Sequence, residues 1–574
     1  MKPNRILIIG GVATGAKAAA RARRRDPHAE ITIVERGRLM SYAGCGMPYY
    51  IQGQVRDFHE LMSTPVGVIR DETFFQNVKD IRALTQTLAE KIDRVRKTVN
   101  VVNVASGQKT ELPYDKLVLA MGGMPLEPRL EGANLNHVFR LNLPDDALAI
   151  REAAEQGQVK RAVLIGGGLI GLETAEALVA RGIHVTIVEM LDQLLPATLD
   201  WEVAAFLEKY LRGRGLDIRL RQKVTRLEGD GESNVERVHT TAEAIEAQMV
   251  LIAIGVRPNV QLAKDAGLAI GATGAIAVND QLQTSDPDIY AGGDCVECTH
   301  LLTGQKVFVP LGSTANKHGH VIGDNVTGGE STFPGIVGTT VFKVLDYNLA
   351  RTGLTETQAR RLGYEVLTAL VPGPDRAHYY PTAATLLVKL VADATNGRLL
   401  GAQALGPGDA VKRIDVLATA LTFGATIDNL PDLDLGYAPP YSAAVDPLAH
   451  AANVLRNKRD GLAKALTPQQ LKAKLDTDDP VVLLDVRTPP ERDQMQLRDP
   501  RVVWIPLGQL RKRLGELPRD REIVCFCKVS QRGYEAQRVL DGKGFADVKF
   551  LDGGLVAWPY PFQPEKRNNE RNSQ

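Results

Sequence analysis

The chain has 574 residues, 44% of them hydrophobic and 24% charged, and a formal net charge of +1. That length implies about three to five domains, and the composition is the ordinary one of a soluble globular protein. A charge so near zero, with 5% aromatics and no interleaved basic-aromatic stripe, argues against nucleic acid or a membrane surface as the partner.

Met1-Lys2-Pro3-Asn4-Arg5 leads straight into a strand. The apolar run there is too short and glycine-broken for a signal peptide or a spanning helix. A cytoplasmic protein is expected, whose five cysteines are catalytic or incidental thiols rather than a disulfide framework.

Arg5-Ile6-Leu7-Ile8-Ile9 suits a buried parallel strand. Gly10-Gly11-Val12-Ala13-Thr14-Gly15 follows, then an alanine-rich helix, and Glu35 closes the next strand 20 residues after Gly15. This is the layout of a dinucleotide-binding βαβ unit, with the pyrophosphate at the helix N-terminus and the acid on a ribose hydroxyl. Gly10, Val12, Ala13, Gly15 and Glu35 are its candidate contacts, Val12 standing where a second glycine is usual. The helix ends in Arg21, Arg23, Arg24 and Arg25. Singly these complement the helix dipole; together they suit a phosphorylated ligand. Lys79 is a further, weaker phosphate candidate.

Ser41-Tyr42-Ala43-Gly44-Cys45-Gly46-Met47-Pro48-Tyr49 reads as a loop. A cysteine flanked by glycines points to close backbone approach to a ligand and to a redox thiolate. The positions five away are Met40 and Tyr50, so Cys45 has no local disulfide partner. Oxidised Cys45 must then be a mixed disulfide with a small thiol, a persulfide or a sulfenic acid. The stretch resembles the SFxxCGxPY signature of single-cysteine flavoprotein reductases: coenzyme A-disulfide reductases, NADH oxidases and peroxidases. Tyr42 replaces the usual Phe there, and Gly44 the frequent Asn.

Ala162-Val163-Leu164-Ile165, Gly166-Gly167-Gly168-Leu169-Ile170-Gly171, a helix from Leu172 to Arg181 and a strand ending in Glu189 form a second, complete fingerprint. Gly166, Gly168 and Gly171 would cradle the nucleotide. Glu189 would repel the 2′-phosphate of NADPH and so favours NADH. Cys295 and Cys298 make a C-x-x-C, but one pair is half a zinc site and no second lies at finger spacing, so both read as core residues and no metal is expected.

Further segments carry the resemblance along the chain. Tyr114 to Gly123 is similar to the YDxLVLATG crossing of flavoproteins. Met249 to Asn259 resembles the return to the flavin domain. Thr284-Ser285-Asp286-Pro287-Asp288-Ile289-Tyr290-Ala291-Gly292-Gly293-Asp294 resembles the segment that points an aspartate, here Asp294, at the ribityl chain of FAD. Leu311 to Gly319 resembles the helix start that meets the flavin. His378-Tyr379-Tyr380-Pro381 and Tyr437-Ala438-Pro439-Pro440-Tyr441 look like the paired tyrosine segments of coenzyme A-disulfide reductases. Val481 to Pro489, Ile523 to Gly533 and Leu551 to Trp558 resemble, in order, a rhodanese domain with Cys527 as active thiol and Arg532 as loop arginine. Gln494 to Arg498 replaces that family's GHIxGA segment. Cys525 reads as a core residue.

The chain is thus similar to coenzyme A-disulfide reductases fused to a rhodanese domain, a group that includes NADH-dependent persulfide and polysulfide reductases. The resemblance implies an α/β protein with two Rossmann-like nucleotide-binding domains of the glutathione reductase type, an α+β dimerisation domain and a rhodanese-like α/β domain. The expected boundaries are 1–145 and 261–328 for the FAD-binding domain, 146–260 for the NAD-binding domain, 329–460 for dimerisation and 466–563 for the rhodanese part, joined near Leu462, where Leu462 to Pro480 looks like a linker plus a first helix.

It further implies FAD, NADH and coenzyme A as ligands and a homodimer in which Tyr379 and Tyr437 reach the partner's site. Arg21, Arg24, Ser41 and Lys79 would contact coenzyme A, and Arg532 the rhodanese substrate. NADH would reduce FAD, Cys45 would attack the sulfur substrate, and Cys527 would carry sulfane sulfur. The alternative is an NADH oxidase or peroxidase working through a Cys45 sulfenic acid; peroxidases of the branch carry a His where this chain has Ala13. The polar tail from Pro564 reads as disordered.

Overall fold

A computed structural model describes residues 3–477 and 479–562; the tail from Pro564 lies outside the described residues. The chain forms two compact units, Met1–Asp192 with Leu216–Gly338, and Gln193–Gly215 with Thr339 onward. No described helix is long and apolar enough to cross a membrane.

The first unit contains two parallel five-stranded sheets. One runs Ile289–Ala291, Lys116–Leu119, Arg5–Ile9, Glu30–Val34, Arg82–Leu84. The other runs Asp217–Arg219, His184–Val188, Arg161–Ile165, Met249–Ile252, Val138–Phe139. Their central strands are apolar on both faces because both are covered, one by helices and the other by a three-stranded antiparallel sheet, Thr87–Asp93, Thr98–Asn103 and Lys109–Pro113 in the first case and Val224–Gly229, Val235–Thr240 and Ala244–Glu246 in the second: Ile6, Leu7 and Ile8 are buried, as are Val163 and Leu164. The alanines Ala18, Ala19 and Ala22 bury one side of the helix Ala13–Arg25. On it packs the helix Gly312–Asn325, so closely that a Cβ at Gly323 would lie 2.8 Å from Ala18 O.

The second unit holds an antiparallel sheet and a parallel one. The antiparallel sheet orders Thr340–Val344, Tyr347–Gly353, Leu399–Gly406, Thr385–Asp393 and Val366–Pro374, flanked by the helices Ala410–Thr422 and Pro447–Arg459. The parallel sheet orders Ala465–Leu466, Val548–Leu551, Ile523–Phe526, Val482–Asp485 and Val502–Trp504. The α/β class read from the sequence is the one observed.

Two local features differ from the sequence expectation. The segment Ser41 to Tyr49 is not all loop: Gly44–Gly46 is a 3₁₀ turn and Met47–Gln52 a short helix, with Pro48 in its first turn and Gly53 at φ +95° ending it. Proline is pre-set for a first helical turn and glycine for the left-handed stop.

The second feature is the region after Leu462: the expected first helix is there, Pro468–Leu475, but the strand Ala465–Leu466 precedes it. Around it, Lys458 Nζ bonds Asp552 Oδ2 at 2.6 Å and Lys209 Nζ bonds Trp558 O at 2.9 Å. The helix Trp201–Gly213, which carries Lys209, is tied to the antiparallel sheet by Lys389. That lysine is 2% exposed and meets Glu202 at 3.0 Å and Glu356 at 2.7 Å. Burial alone would lower its pKa, but the carboxylates of Glu202, Asp200 and Glu356 reverse this and hold it charged.

Candidate active site

The first nucleotide turn is built by close backbone approach. Gly10 leaves its strand at φ +103°, and a Cβ there would stand 2.1 Å from Ala120 O. Val12 precedes and Ala13 opens the helix; Gly15 lies one turn in, against Gly10 O. Glu35 Oε2 accepts the N–H of Gly11 and Oε1 that of Gly37, both at 2.7 Å. The carboxylate is thereby fixed at the mouth of the turn, with lone pairs left for hydroxyl donors.

Tertiary folding brings Gly292-Gly293-Asp294 to the same place. Gly293 sits at φ +78°, where a Cβ would lie 2.5 Å from Thr14 Oγ1. Asp294 is half-buried, and burial raises its carboxyl above the ordinary range. His318 Nδ1 accepts the N–H of Gly293 at 3.1 Å, and burial depresses the imidazole to about 4, so the ring is neutral with its proton on Nε2, facing Cys298 Sγ at 3.8 Å. The role of His318 was not legible in the sequence, because its partner lies 25 residues away. Cys295 points elsewhere, its Sγ 3.3 Å from Gly292 O.

The second turn repeats the device. Gly166 turns at φ +109°, Gly168 caps the helix Leu169–Ala180 and Gly171 packs beneath Gly166 O. Glu189 Oε2 accepts the N–H of Gly167 at 2.8 Å and Oε1 that of Leu191 at 2.9 Å.

Cys45 is exposed while the other four cysteines are buried. Its turn is anchored by Ala43 N–H to Leu61 O at 2.9 Å, and a Cβ placed on Gly312 would lie 3.8 Å from its sulfur. It therefore sits at the N-terminus of the helix Gly312–Asn325, whose positive end favours a thiolate. The neighbours act the other way: burial of the turn, then the carboxylates of Glu173 and Asp294, raise the thiol above its ordinary pKa. Glu173 is itself pushed up to about 7 by burial and by Glu176.

Each candidate phosphate contact has a local setting of its own. Arg21 Nε bonds Asp324 Oδ1 at 2.6 Å, and Arg24 is exposed. Lys79 lies 5.4 Å over the ring of Phe74. Ser41 takes φ +53° and bonds Gly11 O through its N–H at 2.8 Å.

In the second unit Tyr379 and Tyr437 are 66% and 53% exposed, and burial, then its neighbour Tyr437, raise the Tyr379 phenol above its ordinary pKa. Tyr437 also lines a cavity of about 530 Å³ with Arg376, Lys412 and Tyr441. Cys527 ends the strand Ile523–Phe526 and is fully buried beneath the loop that opens the helix Gln531–Asp541. Arg532 borders it and pairs with Glu491, Nη1 to Oε2 at 2.7 Å. That bond holds the Glu491 carboxyl down at about 2. Glu491 was not singled out in the sequence. It arrives because buried Arg487, bonded to Asp485, caps Met495 O at 2.7 Å and fixes the short helix Pro489–Gln494.

Three family models match: pyridine nucleotide-disulphide oxidoreductase over residues 4–319, its dimerisation domain over 339–449, and a rhodanese-like domain over 467–559. A Pyrococcus abyssi protein, NAD(P)H sulfur oxidoreductase (CoA-dependent), is 40% identical over 79% of this chain and 98% of its own length. The NAD-dependent persulfide reductase of A. fulgidus has a structure similar at TM-score 0.92 and 44% identity, covering 96% of this chain and 100% of that one. Reduced Bacillus anthracis CoADR-RHD gives TM-score 0.90 and 36% identity over 97% and 98%.

Proposed function

Because the chain belongs to the pyridine nucleotide-disulphide oxidoreductase family, we propose that it is an FAD- and NADH-dependent reductase of sulfur–sulfur bonds. Its substrates are coenzyme A persulfide, polysulfide or coenzyme A disulfide, and Cys527 relays sulfane sulfur. The observation that carries this reading is one exposed thiol, Cys45, placed at a helix N-terminus in the unit that holds both nucleotide turns. The names of the Pyrococcus abyssi and A. fulgidus proteins, at 40% and 44% identity, and the rhodanese-like match support sulfur, rather than oxygen or peroxide, as acceptor.

Gly10 and Gly293 let the chain pass too close to Ala120 and Thr14 for any Cβ, and the turn so formed leaves the N-terminus of the helix Ala13–Arg25 for the pyrophosphate of an extended dinucleotide. Gly10, Val12, Ala13, Gly15 and Glu35 would hold the pyrophosphate and ribose of FAD, and Asp294 its ribityl chain. Gly166, Gly168, Gly171 and Glu189 would hold NADH. Bound FAD supplies a two-electron relay between nicotinamide and thiol. Arg24, with Arg21, Ser41 and Lys79, would bind the phosphorylated end of coenzyme A.

Cys45 thiolate attacks the outer sulfur of R–S–SH. The S–S bond breaks, R–S⁻ leaves and takes a proton, and Cys45 becomes a persulfide. Tyr379 or Tyr437, reaching across a homodimer, donates that proton. Two electrons from NADH then release sulfide and restore the thiolate. The sum is NADH, H⁺ and R–S–SH giving NAD⁺, R–SH and H₂S.

The test is anaerobic NADH consumption with coenzyme A persulfide, with sulfide quantified. One sulfide per NADH, lost in Cys45→Ser, is expected. NADH consumption that follows oxygen and is indifferent to every sulfur acceptor would overturn the reading.

A further inference from the structure

The chain segment Asp552 to Trp558 has two loaded sides. On one side it braces the Cys527 loop: Leu555 N–H donates to Cys527 O and Val556 N–H to Lys528 O, each at 3.0 Å. Gly554 approaches so closely that a Cβ would lie 2.7 Å from both carbonyls. In a trans peptide the carbonyl and the following N–H point in opposite directions. With the carbonyls of Cys527 and Lys528 tied to this segment, the N–H groups of Lys528 and Val529 are turned to the opposite face of the loop. A loop that stabilises a sulfur anion through its amides depends on that orientation.

On its other side the segment is held from outside the parallel sheet. Lys458, on the helix Pro447–Arg459, donates to Asp552 Oδ2 at 2.6 Å and to Thr368 O at 2.7 Å. Lys209 donates to Trp558 O at 2.9 Å. Asp552 is 2% exposed, and its Oδ1 has no hydrogen-bond partner among the described residues. The carboxylate therefore depends on Lys458, since a buried charge left unpaired is costly.

We propose that Lys458 is a positioning residue for the sulfur-carrying loop: by holding Asp552 it fixes the segment whose amides orient the peptides after Cys527. This rests on the reading of Cys527 as the thiol that takes sulfane sulfur. It makes the sulfur chemistry of the rhodanese-like part dependent on a helix of the neighbouring antiparallel domain.

The full-length holoenzyme is assayed with thiosulfate and cyanide as probes. The outer sulfur of thiosulfate passes to the Cys527 thiolate, sulfite leaves with the bonding pair, and cyanide removes the sulfur as thiocyanate. Lys458→Met is expected to lower kcat by about tenfold or more while KM for thiosulfate stays within about twofold, and Lys458→Arg to restore most of kcat.

Lys458→Met combined with Asp552→Leu removes both charges, so it should recover the melting temperature of the wild type yet keep the low kcat. Wild-type kcat in Lys458→Met, or in the double variant, overturns the proposal. Thiocyanate formation that survives Cys527→Ser overturns the reading of Cys527 and the proposal with it. Loss in Cys527→Ser with no change in Lys458→Met overturns the proposal alone.

Discussion

Glu189 Oε2 accepts the backbone N–H of Gly167 at 2.8 Å, so the acid ending one strand is pinned across the mouth of the turn that begins the neighbouring helix. At 8% exposure its charge is little screened. NADH is expected to be preferred over NADPH, whose 2′-phosphate would meet this carboxylate. Glu189→Gln keeps an acceptor and removes the charge; it should narrow the ratio of kcat/KM values by about tenfold. Steady-state kinetics with both nucleotides test this, and a wild-type preference for NADPH would refute it.

Burial first, and Glu173 after it, raise the thiol of Cys45. With its carboxyl raised to about 7, Glu173 is mostly neutral below that pH and charged above it. The charge opposes ionisation of Cys45, whose thiol is already raised. Alkylation of Cys45, the exposed thiol, should therefore speed up with pH, with its midpoint above the ordinary thiol value. Glu173→Gln should shift that midpoint down and quicken alkylation at pH 8 by about threefold to tenfold. An unchanged or higher midpoint would show that Glu173 does not act on the thiol.

Cys45 and Cys527, as proposed, should separate by acceptor. Cys45→Ser should cut sulfur-dependent NADH consumption by about a thousandfold or more and leave reduction of the flavin by NADH intact. Cys527→Ser should spare acceptors small enough to reach Cys45 and impair bulky or protein-bound sulfane donors. Rates for both variants with one small and one bulky acceptor decide it. Turnover surviving in Cys45→Ser but lost with both acceptors in Cys527→Ser would reverse the proposed electron path.

Tyr379 and Tyr437, neighbours that are largely exposed, should serve the partner subunit. Tyr379→Phe with Tyr437→Phe is expected to lower kcat by about tenfold to hundredfold. A hybrid dimer of that double variant with Cys45→Ser has one intact composite site if the tyrosines act across the dimer, and should regain about half the wild-type rate per dimer. No recovery, or full activity in a monomer by light scattering, would refute the arrangement.

Much of this protein is written in short stretches of sequence. Each nucleotide turn needs only a strand, glycines where backbones touch, a helix and an acid on the next strand, all within about thirty residues. Gly10 to Glu35 and Gly166 to Glu189 were therefore legible, as was Cys45 between its glycines. The parallel strands showed themselves as apolar runs because both faces are covered.

Tertiary structure alone decided what depends on residues far apart. It gave Gly293 a neutral histidine, His318, set Glu173 and Asp294 against Cys45 so that the thiol is raised, and paired Arg532 with Glu491. It also placed Lys458 on Asp552 and Lys209 on Trp558, separated by 94 and 349 residues. The physical reason is common to all of these. A hydrogen-bond donor or a charge acts over a few ångströms of space, and a one-dimensional pattern records such neighbours only when they are also neighbours along the chain.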